Sequence, residues 1–381
     1  MPSRKTLSRP QTLADFEQLA AKRLPKDYYN YVAGAAGDES DFAYCRRYLD
    51  SLRLVHRVLR GSHTIDAQCS ILGSTYTHPF MIAPSAYLGS ACKRGDTAMA
   101  LAAKEFGTVF TVSTLASEEI GAVARASKAD LWQQLYIYKD REITRDLVRR
   151  SQEAGCKALV LTVDQPAVGI RYRDRKSGFT SPRDFRLPNV LSAAAMARRG
   201  NTSASVGKFL SEQRNATLTW KDVEWLRSIS PLPVLLKGIL SREDAGLAVQ
   251  SGVAGIIVSN HGGRQLDALV SPVAMLSSIR AAVGKDTLIL VDGGIRSGTD
   301  VIRCISLGAN AVLLARPLVW GLAVAGTAGA LRILNILAEE LKNSMAILGV
   351  SRLSELGPQY LFNPQIRLDS GYAAAPSAIW L

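Results

Sequence analysis

The run Leu288-Ile-Leu-Val-Asp292-Gly293-Gly294-Ile-Arg296-Ser297-Gly-Thr-Asp-Val-Ile-Arg-Cys-Ile-Ser-Leu307-Gly308, followed shortly by Ala311-Val-Leu-Leu-Ala315, decides the fold. Its first four residues are apolar without a break, which indicates a strand buried on both faces, as in a parallel sheet. Ser297 opens an amphipathic stretch that closes at Gly308, a helix with a cap at each end. A second unbroken apolar run then begins. Strand, helix and parallel strand form one βα repeat.

The same unit recurs outward along the chain. Apolar runs lie at Phe80–Ala83, Val109–Ser113, Leu131–Ile137, Ala158–Asp164, Val234–Lys237, Gly255–Ser259, Leu288–Asp292 and Ala311–Ala315. Helical stretches at Thr97–Phe106, Arg141–Ala154, Arg242–Ser251 and Ser297–Leu307 end at Gly107, Gly155, Gly252 and Gly308. Eight repeats predict a (β/α)8 barrel of the TIM type over an open doubly wound sheet. Most strand centres are spaced by about 22 to 33 residues, but the fourth interval is about 75. Segment 171–215 is therefore an insertion after strand four, and long insertions of this kind are usually functional lids or disordered segments. Residues 1–75, with a helical region over Leu13–Val32, are expected to cap a barrel over 76–365. Residues 366–381 are expected to form a tail, and the whole of 1–381 reads as one domain.

Composition narrows the function classes. The 381 residues are 47% hydrophobic and 21% charged, which excludes global disorder. Forty-six Lys and Arg against 33 Asp and Glu leave +13, a balance that calls for an anionic partner. Segment 171–214 holds ten Lys and Arg and three Asp and Glu, a net +7, so the other 337 residues carry +6. That distribution does not read as a nucleic-acid-binding protein. Cys45, Cys69, Cys92, Cys156 and Cys304 are scattered, with no C-x-x-C pair, so neither a disulfide framework nor a metal site is expected, and the compartment reads as reducing. The basic start Met1-Pro-Ser-Arg-Lys has no apolar core of a signal peptide. The most membrane-like run, Pro317–Leu331, is too short to span a bilayer.

In such barrels chemistry sits at the C-terminal ends of the strands. Here those ends supply Ala83-Pro84-Ser85-Ala86; Ser113, with Leu115 just after; Gln134 and Tyr136; Thr162 and Asp164, with Arg171 beyond; Lys237; Ser259 and His261-Gly-Gly-Arg264; Asp292-Gly293-Gly294 and Arg296; and Ala315-Arg316. The last two groups have the makings of a phosphate site, because glycines expose backbone N–H groups and Arg binds anions bidentately. The other reading of Gly293 and Gly294 is a simple tight turn. No G-x-G-x-x-G follows a strand and no P-loop occurs. His261 can take a proton near neutrality, Asp164 can stabilise the resulting imidazolium, and Arg264 can hold a carboxylate. Lys237, at the end of a buried strand, needs an anionic partner.

Taken together, Leu24-Pro-Lys with Tyr31, Ile82-Ala-Pro-Ser, Gln134-Leu-Tyr136, Leu161-Thr-Val-Asp164, Leu236-Lys237-Gly, Ser259-Asn-His-Gly-Gly-Arg-Gln-Leu-Asp267 and Asp292-Gly-Gly-Ile-Arg296-Ser-Gly-Thr-Asp resemble the FMN-dependent α-hydroxy-acid oxidoreductases of the glycolate oxidase, L-lactate dehydrogenase and (S)-mandelate dehydrogenase type. The resemblance runs from about Leu13 to Tyr360. It implies oxidation of an L-2-hydroxy acid, lactate-like or mandelate-like, to the 2-keto acid. Electrons would leave reduced FMN for a quinone or cytochrome, or for O2 in an oxidase that makes H2O2. It implies His261 as the base, with Asp164 as its charge partner. Arg264 and Arg171 would clamp the substrate carboxylate with Tyr31, and Tyr136 would meet the substrate hydroxyl. Lys237 would stand beside flavin N1 and O2, and the Ala83–Ala86 backbone near N5. Ser113, Gln134, Thr162 and Ser259 would bind the ring edge, Asp292 the ribityl chain, and Gly293, Gly294, Arg296, Ala315 and Arg316 the phosphate.

Three positions depart from the family pattern. Ala315 replaces a Gly before the strand-eight Arg, Gly37 replaces a common Glu, and Leu115 stands where glycolate oxidase has Trp, which should open the pocket to larger side chains. The resemblance also implies a homo-oligomer, a tetramer. The expected location is cytoplasmic, either free or peripheral on the inner face of the cell membrane. In the latter case the apolar patch Leu187–Ala197, flanked by Arg183, Arg186, Arg198 and Arg199, would contact anionic lipid. An FMN- or phosphate-binding isomerase on the same barrel is the alternative.

Overall fold

Eight parallel strands close on themselves in the computed structural model, which describes residues 10–61, 64–179, 181–182, 185–186, 188–190 and 203–362. They are β1 (Phe80–Ile82), β2 (Val109–Val112), β3 (Asp130–Leu135), β4 (Ala158–Thr162), β5 (Val234–Ile239), β6 (Gly255–Val258), β7 (Ile289–Val291) and β8 (Ala311–Leu314). β8 pairs with β1, so no edge is left open. All eight expected runs are strands, and the fold is the (β/α)8 barrel. Unbroken apolar runs were needed because both faces are covered. Met81, Trp132, Val160, Leu235, Ile257, Leu290 and Leu313 fill the inside of the barrel, while Phe80, Ile82, Leu159, Leu161, Leu236 and Ile256 pack outward against the helices. The hairpin Cys69–Ile71/Ser74–Tyr76 contributes Ile71 and Tyr76 to the inner cluster.

Two sequence expectations are corrected. The helical region Leu13–Val32 is two helices, Leu13–Arg23 and Lys26–Ala33, with Leu24 extended at φ −76°, ψ 147°. Pro25 is the cause, because its ring disfavours helical backbone in the residue before it. The uncharged run Pro317–Leu331, expected to be too short to span a bilayer, is only part of its helix. It belongs to a 33-residue helix, Arg316–Leu348, which by length and composition could cross a membrane. Half of its most apolar window is buried inside the protein. The helix is broken at Ala325 and Gly326, where Gly326 takes φ +57°. Gly321 and Gly329 meet so closely across the break that a Cβ on Gly321 would lie 2.7 Å from the Gly329 carbonyl carbon.

A β-bulge interrupts β5, where the register with β6 shifts between Lys237 and Ile239. Gly238, at φ +112°, makes the bulge, and a Cβ there would lie 2.5 Å from that of Asp164. Bulges re-aim side chains beside active sites, and this one stands between Lys237 and Asp164. Of the patch expected to meet lipid, Pro188–Val190 pack down onto the barrel. Asn189 is fully buried, accepts from the Ile120 amide at 2.8 Å and donates to the Glu118 carbonyl. The rest of the patch, residues 187 and 191–197, lies outside the described residues.

Candidate active site

The strand ends converge on one cavity of about 340 Å³ at the C-terminal mouth. Of the residues singled out in the sequence, Tyr31, Ala83, Pro84, Ser85, Ala86, Ser113, Leu115, Gln134, Tyr136, Thr162, Arg171, Lys237, His261, Arg264, Asp292, Gly293, Gly294, Arg296, Ala315 and Arg316 line it. Asp164 and Ser259 stand behind the lining, each bonded to a residue in it.

His261 is the centre of the mouth. Its Nδ1 lies 3.0 Å from Asp164 Oδ1. A carboxylate only accepts, so Nδ1 carries a proton, and in the neutral ring Nε2 is the nitrogen that holds the lone pair. Burial pushes the Asp164 carboxyl up, but the His261 imidazole and then the Lys237 ammonium outweigh it and hold the acid below its usual range. His261 adopts φ +59°, an uncommon conformation for a residue other than glycine, in a loop where Gly262 and Gly263 are also left-handed. The loop is pinned from three sides. The His261 amide donates to Ser259 Oγ at 3.0 Å, Gln265 Nε2 donates to the Asp164 carbonyl at 2.9 Å, and Asn260 Nδ2 donates to Asp41 Oδ2 at 2.8 Å.

Lys237 is buried and bridges Ser259 Oγ at 2.7 Å and Asp292 Oδ2 at 2.9 Å. Burial disfavours its charge, but Asp292 and Asp164 outweigh burial and raise the ammonium above its usual range. At the floor, Gln134 accepts from the Thr114 amide at 3.0 Å and donates to Thr162 Oγ1 at 3.1 Å. Tyr136 stands on the wall, its phenol pushed up by burial and then by Asp164.

Arg264 donates to the carbonyls of Tyr31 and Gly34, both at 2.7 Å, and its guanidinium lies 4.7 Å from the centre of the Tyr31 ring. Arg171 lies 5.5 Å from the same ring and pairs with Asp174 at 3.2 Å. Burial, then the nearby Arg171, lower the Arg264 guanidinium. Arg316 is buried and donates to the carbonyls of Val32, Gly34 and Gly262. Burial, then Arg264 and Arg296, push it down to about 9. A guanidinium depressed so far by burial, with two others close by, marks a place where an anion is wanted.

Several participants carried no local signal. Asp41, on the helix Ser40–Ser51, anchors the His261 loop through Asn260, and Asp267 accepts from the amides of Asp38, Ser40 and Asp41 to hold that helix start. A Cβ at Gly37 would come 2.7 Å from Asp267, which explains the glycine there. Tyr87, Gln165, Leu210 and Arg214 also line the mouth. Gln265 and Asn260 flank His261 in the sequence and could have been read from it. Asp41 could not, because it is more than 200 residues away.

The family model for FMN-dependent dehydrogenases matches residues 20–363. The chain belongs to the FMN-dependent dehydrogenase family. It is 41% identical over 360 residues to an L-lactate oxidase from Nostoc sp., covering 93% of this chain and 99% of that one. It is 41% identical over 341 residues to a 4-hydroxymandelate oxidase from Amycolatopsis orientalis, covering 89% and 94%. A soluble mutant of the membrane-associated (S)-mandelate dehydrogenase from Pseudomonas putida superposes with a TM-score of 0.87 at 34% identity, over 93% of this chain and 100% of that one.

The cofactor of the family is FMN, and the mouth fits it. Asp292 Oδ1 is buried without a hydrogen-bond partner among the described residues, so the cavity offers an acceptor for a ligand donor. Gly293 at φ +103° and Gly294 at φ +78° bare the backbone after β7, and Arg296 and Arg316 stand on the same side. This is the usual phosphate corner of a (β/α)8 barrel.

Proposed function

We propose that this member of the FMN-dependent family oxidises an L-2-hydroxy acid to the 2-keto acid. The observation that carries the reading is the His261–Asp164 pair, whose free Nε2 shares one cavity with the Arg264 and Arg171 guanidiniums. A substrate carboxylate held by those two cations would present its hydroxyl to Nε2 and to Tyr136. Nε2 takes the hydroxyl proton, and Asp164 stabilises the imidazolium that forms. FMN, when bound, supplies a two-electron acceptor for the hydrogen on the α-carbon. Lys237 places a fixed positive charge where that acceptor gains electron density. Asp292 offers its free oxygen to the polyol chain, and Arg296 and Arg316 meet the phosphate. Leu115 leaves room for side chains of the lactate or mandelate kind.

The test is anaerobic bleaching of the bound flavin by L-2-hydroxy acids. An isomerase on the same scaffold would give no net bleaching. Reoxidation of the bleached enzyme by O2, with H2O2 formed, would make it an oxidase, whereas reoxidation by a quinone or cytochrome alone would make it a dehydrogenase. The +7 of segment 171–214 supports contact with anionic lipid on the inner face of the cell membrane. Sedimentation with anionic liposomes should fall when residues 191–202 are deleted; equal sedimentation of both proteins would remove that part of the reading.

A further inference from the structure

A second chamber of about 270 Å³ adjoins the mouth and shares Leu115, Tyr136, Thr162, Gln165, Leu210 and Arg214 with it. Ile137, Val163, Pro166, Ala216 and Leu218 give the rest of its wall an apolar stretch, beside the neutral polar side chains of Thr162, Gln165 and Asn215. Two further polar groups stand out. One is the Arg214 guanidinium. The ion pairs of this part of the chain join Arg171 to Asp174, Arg173 to Glu39 and Lys208 to Glu212, and leave Arg214 without a carboxylate among the described residues. The other is Tyr138, 3% exposed, whose hydroxyl is buried with no hydrogen-bond partner among the described residues.

Both groups are held in place. Tyr138 and Arg214 pair as an antiparallel bridge, the Lys139 amide donates to the Gln213 carbonyl at 2.9 Å, and the Tyr138 amide donates to Thr144 Oγ1 at 3.1 Å. The buried, orphaned phenol is costly unless a ligand completes it, and the half-buried Arg214 on the same fixed bridge puts a positive charge next to it. In the reading above the α-carboxylate does not do so, because Arg264 and Arg171 would hold it at the Tyr31 side of the mouth.

We propose that Arg214 and Tyr138 form a second anion-binding pole of the substrate cavity, and that the preferred substrate is an L-2-hydroxy acid with a second carboxylate beyond a short apolar spacer. Leu115, Leu210 and Leu218 cover the spacer; Arg214 pairs with the far carboxylate and the Tyr138 hydroxyl donates to it. The proposal rests on the 2-hydroxy-acid reading above and names the substrate class of that site.

The experiment uses the FMN-loaded enzyme under anaerobic conditions. Rates of flavin bleaching per unit concentration are compared for L-2-hydroxyglutarate against L-2-hydroxypentanoate, and for L-2-hydroxyadipate against L-2-hydroxyhexanoate, with L-lactate as reference. Dissociation constants of the matching 2-keto acids are read from flavin difference spectra. The expected result is at least a tenfold preference for one dicarboxylate over its equally long partner, in both rate and affinity. Arg214→Met should lower that ratio at least tenfold, Arg214→Lys should keep part of it, and Tyr138→Phe should lower it about threefold. Bleaching by L-lactate with no dicarboxylate preference would overturn this inference and leave the 2-hydroxy-acid reading standing, as would an unchanged ratio in Arg214→Met. Failure of every hydroxy acid to bleach the flavin would overturn both. Should Arg214→Met not retain FMN, the wild-type ratio and Tyr138→Phe decide.

Discussion

Asp164→Asn is the most informative single change. It keeps the shape of the residue and removes the charge that faces His261 Nδ1 at 3.0 Å. Two unit charges at that distance interact by about 5 kcal/mol at an effective dielectric constant of about 20. The net value is smaller, because side-chain exposures of 13% for Asp164 and 25% for His261 admit some water. Hydrogen bonds to charged groups are worth about 1.5–3 kcal/mol net, which corresponds to roughly 10- to 150-fold in rate. The pair becomes fully charged only when Nε2 has taken the substrate proton. The loss should therefore fall on the limiting rate of flavin reduction, not on substrate affinity. Rapid-mixing reduction at saturating L-2-hydroxy acid measures it directly, with the flavin spectrum confirming that FMN is still bound. A fall of less than threefold, or a loss confined to the dissociation constant, would refute the role assigned to Asp164.

Other consequences can be checked separately. His261→Asn, chosen because Asn tolerates the φ of +59°, should retain FMN and lose about 100- to 10,000-fold in flavin reduction; unimpaired reduction counts against His261 as the base. Gly238→Ala should force Asp164 aside and strain a position at φ +112°. At least a tenfold loss of reduction, together with a lowered melting temperature, is expected; an unchanged enzyme would show that the bulge does not set the pair. Asp41, fully buried, has its carboxyl raised to about 6 by burial first and by Asp267 next. Its folded state holds a proton that the unfolded chain releases, so its contribution is complete below about 4 and is lost as pH rises to about 6. Asp41→Asn should therefore gain stability relative to wild type across that window, by about 3 kcal/mol at most. Thermal unfolding at pH 4, 5, 6 and 7 reads the sign, and a gain that shrinks with pH would be the wrong one. Asp300→Ala should cost about 3–5 kcal/mol, since it leaves Arg46 and Arg303 facing each other in place of a fully buried partner; denaturant unfolding measures it.

The barrel was legible because its determinant is local. A strand covered on both faces must be apolar throughout, and each helix that returns the chain needs a cap and a stop, so Leu288–Ala315 carries its own architecture. The strand-end polar residues were legible once the barrel was assumed, because topology alone brings eight such ends to one mouth. Sequence, unaided, thus determined the fold, the polar inventory of the mouth and the family resemblance.

Tertiary structure decided everything that depends on distance between segments. The break at Pro25 has a local cause that the apolar periodicity concealed. The bulge at Gly238, the left-handed backbone of His261 and the clamp of Asp41 on Asn260 have no periodic signature, because each answers a neighbour from another element. Arg214 shows the limit most clearly. In the sequence it is one of ten cations in a basic insertion. The bridge to Tyr138 places it beside the second chamber, without a carboxylate partner among the described residues, where the proposed second pole would give its charge a chemical consequence.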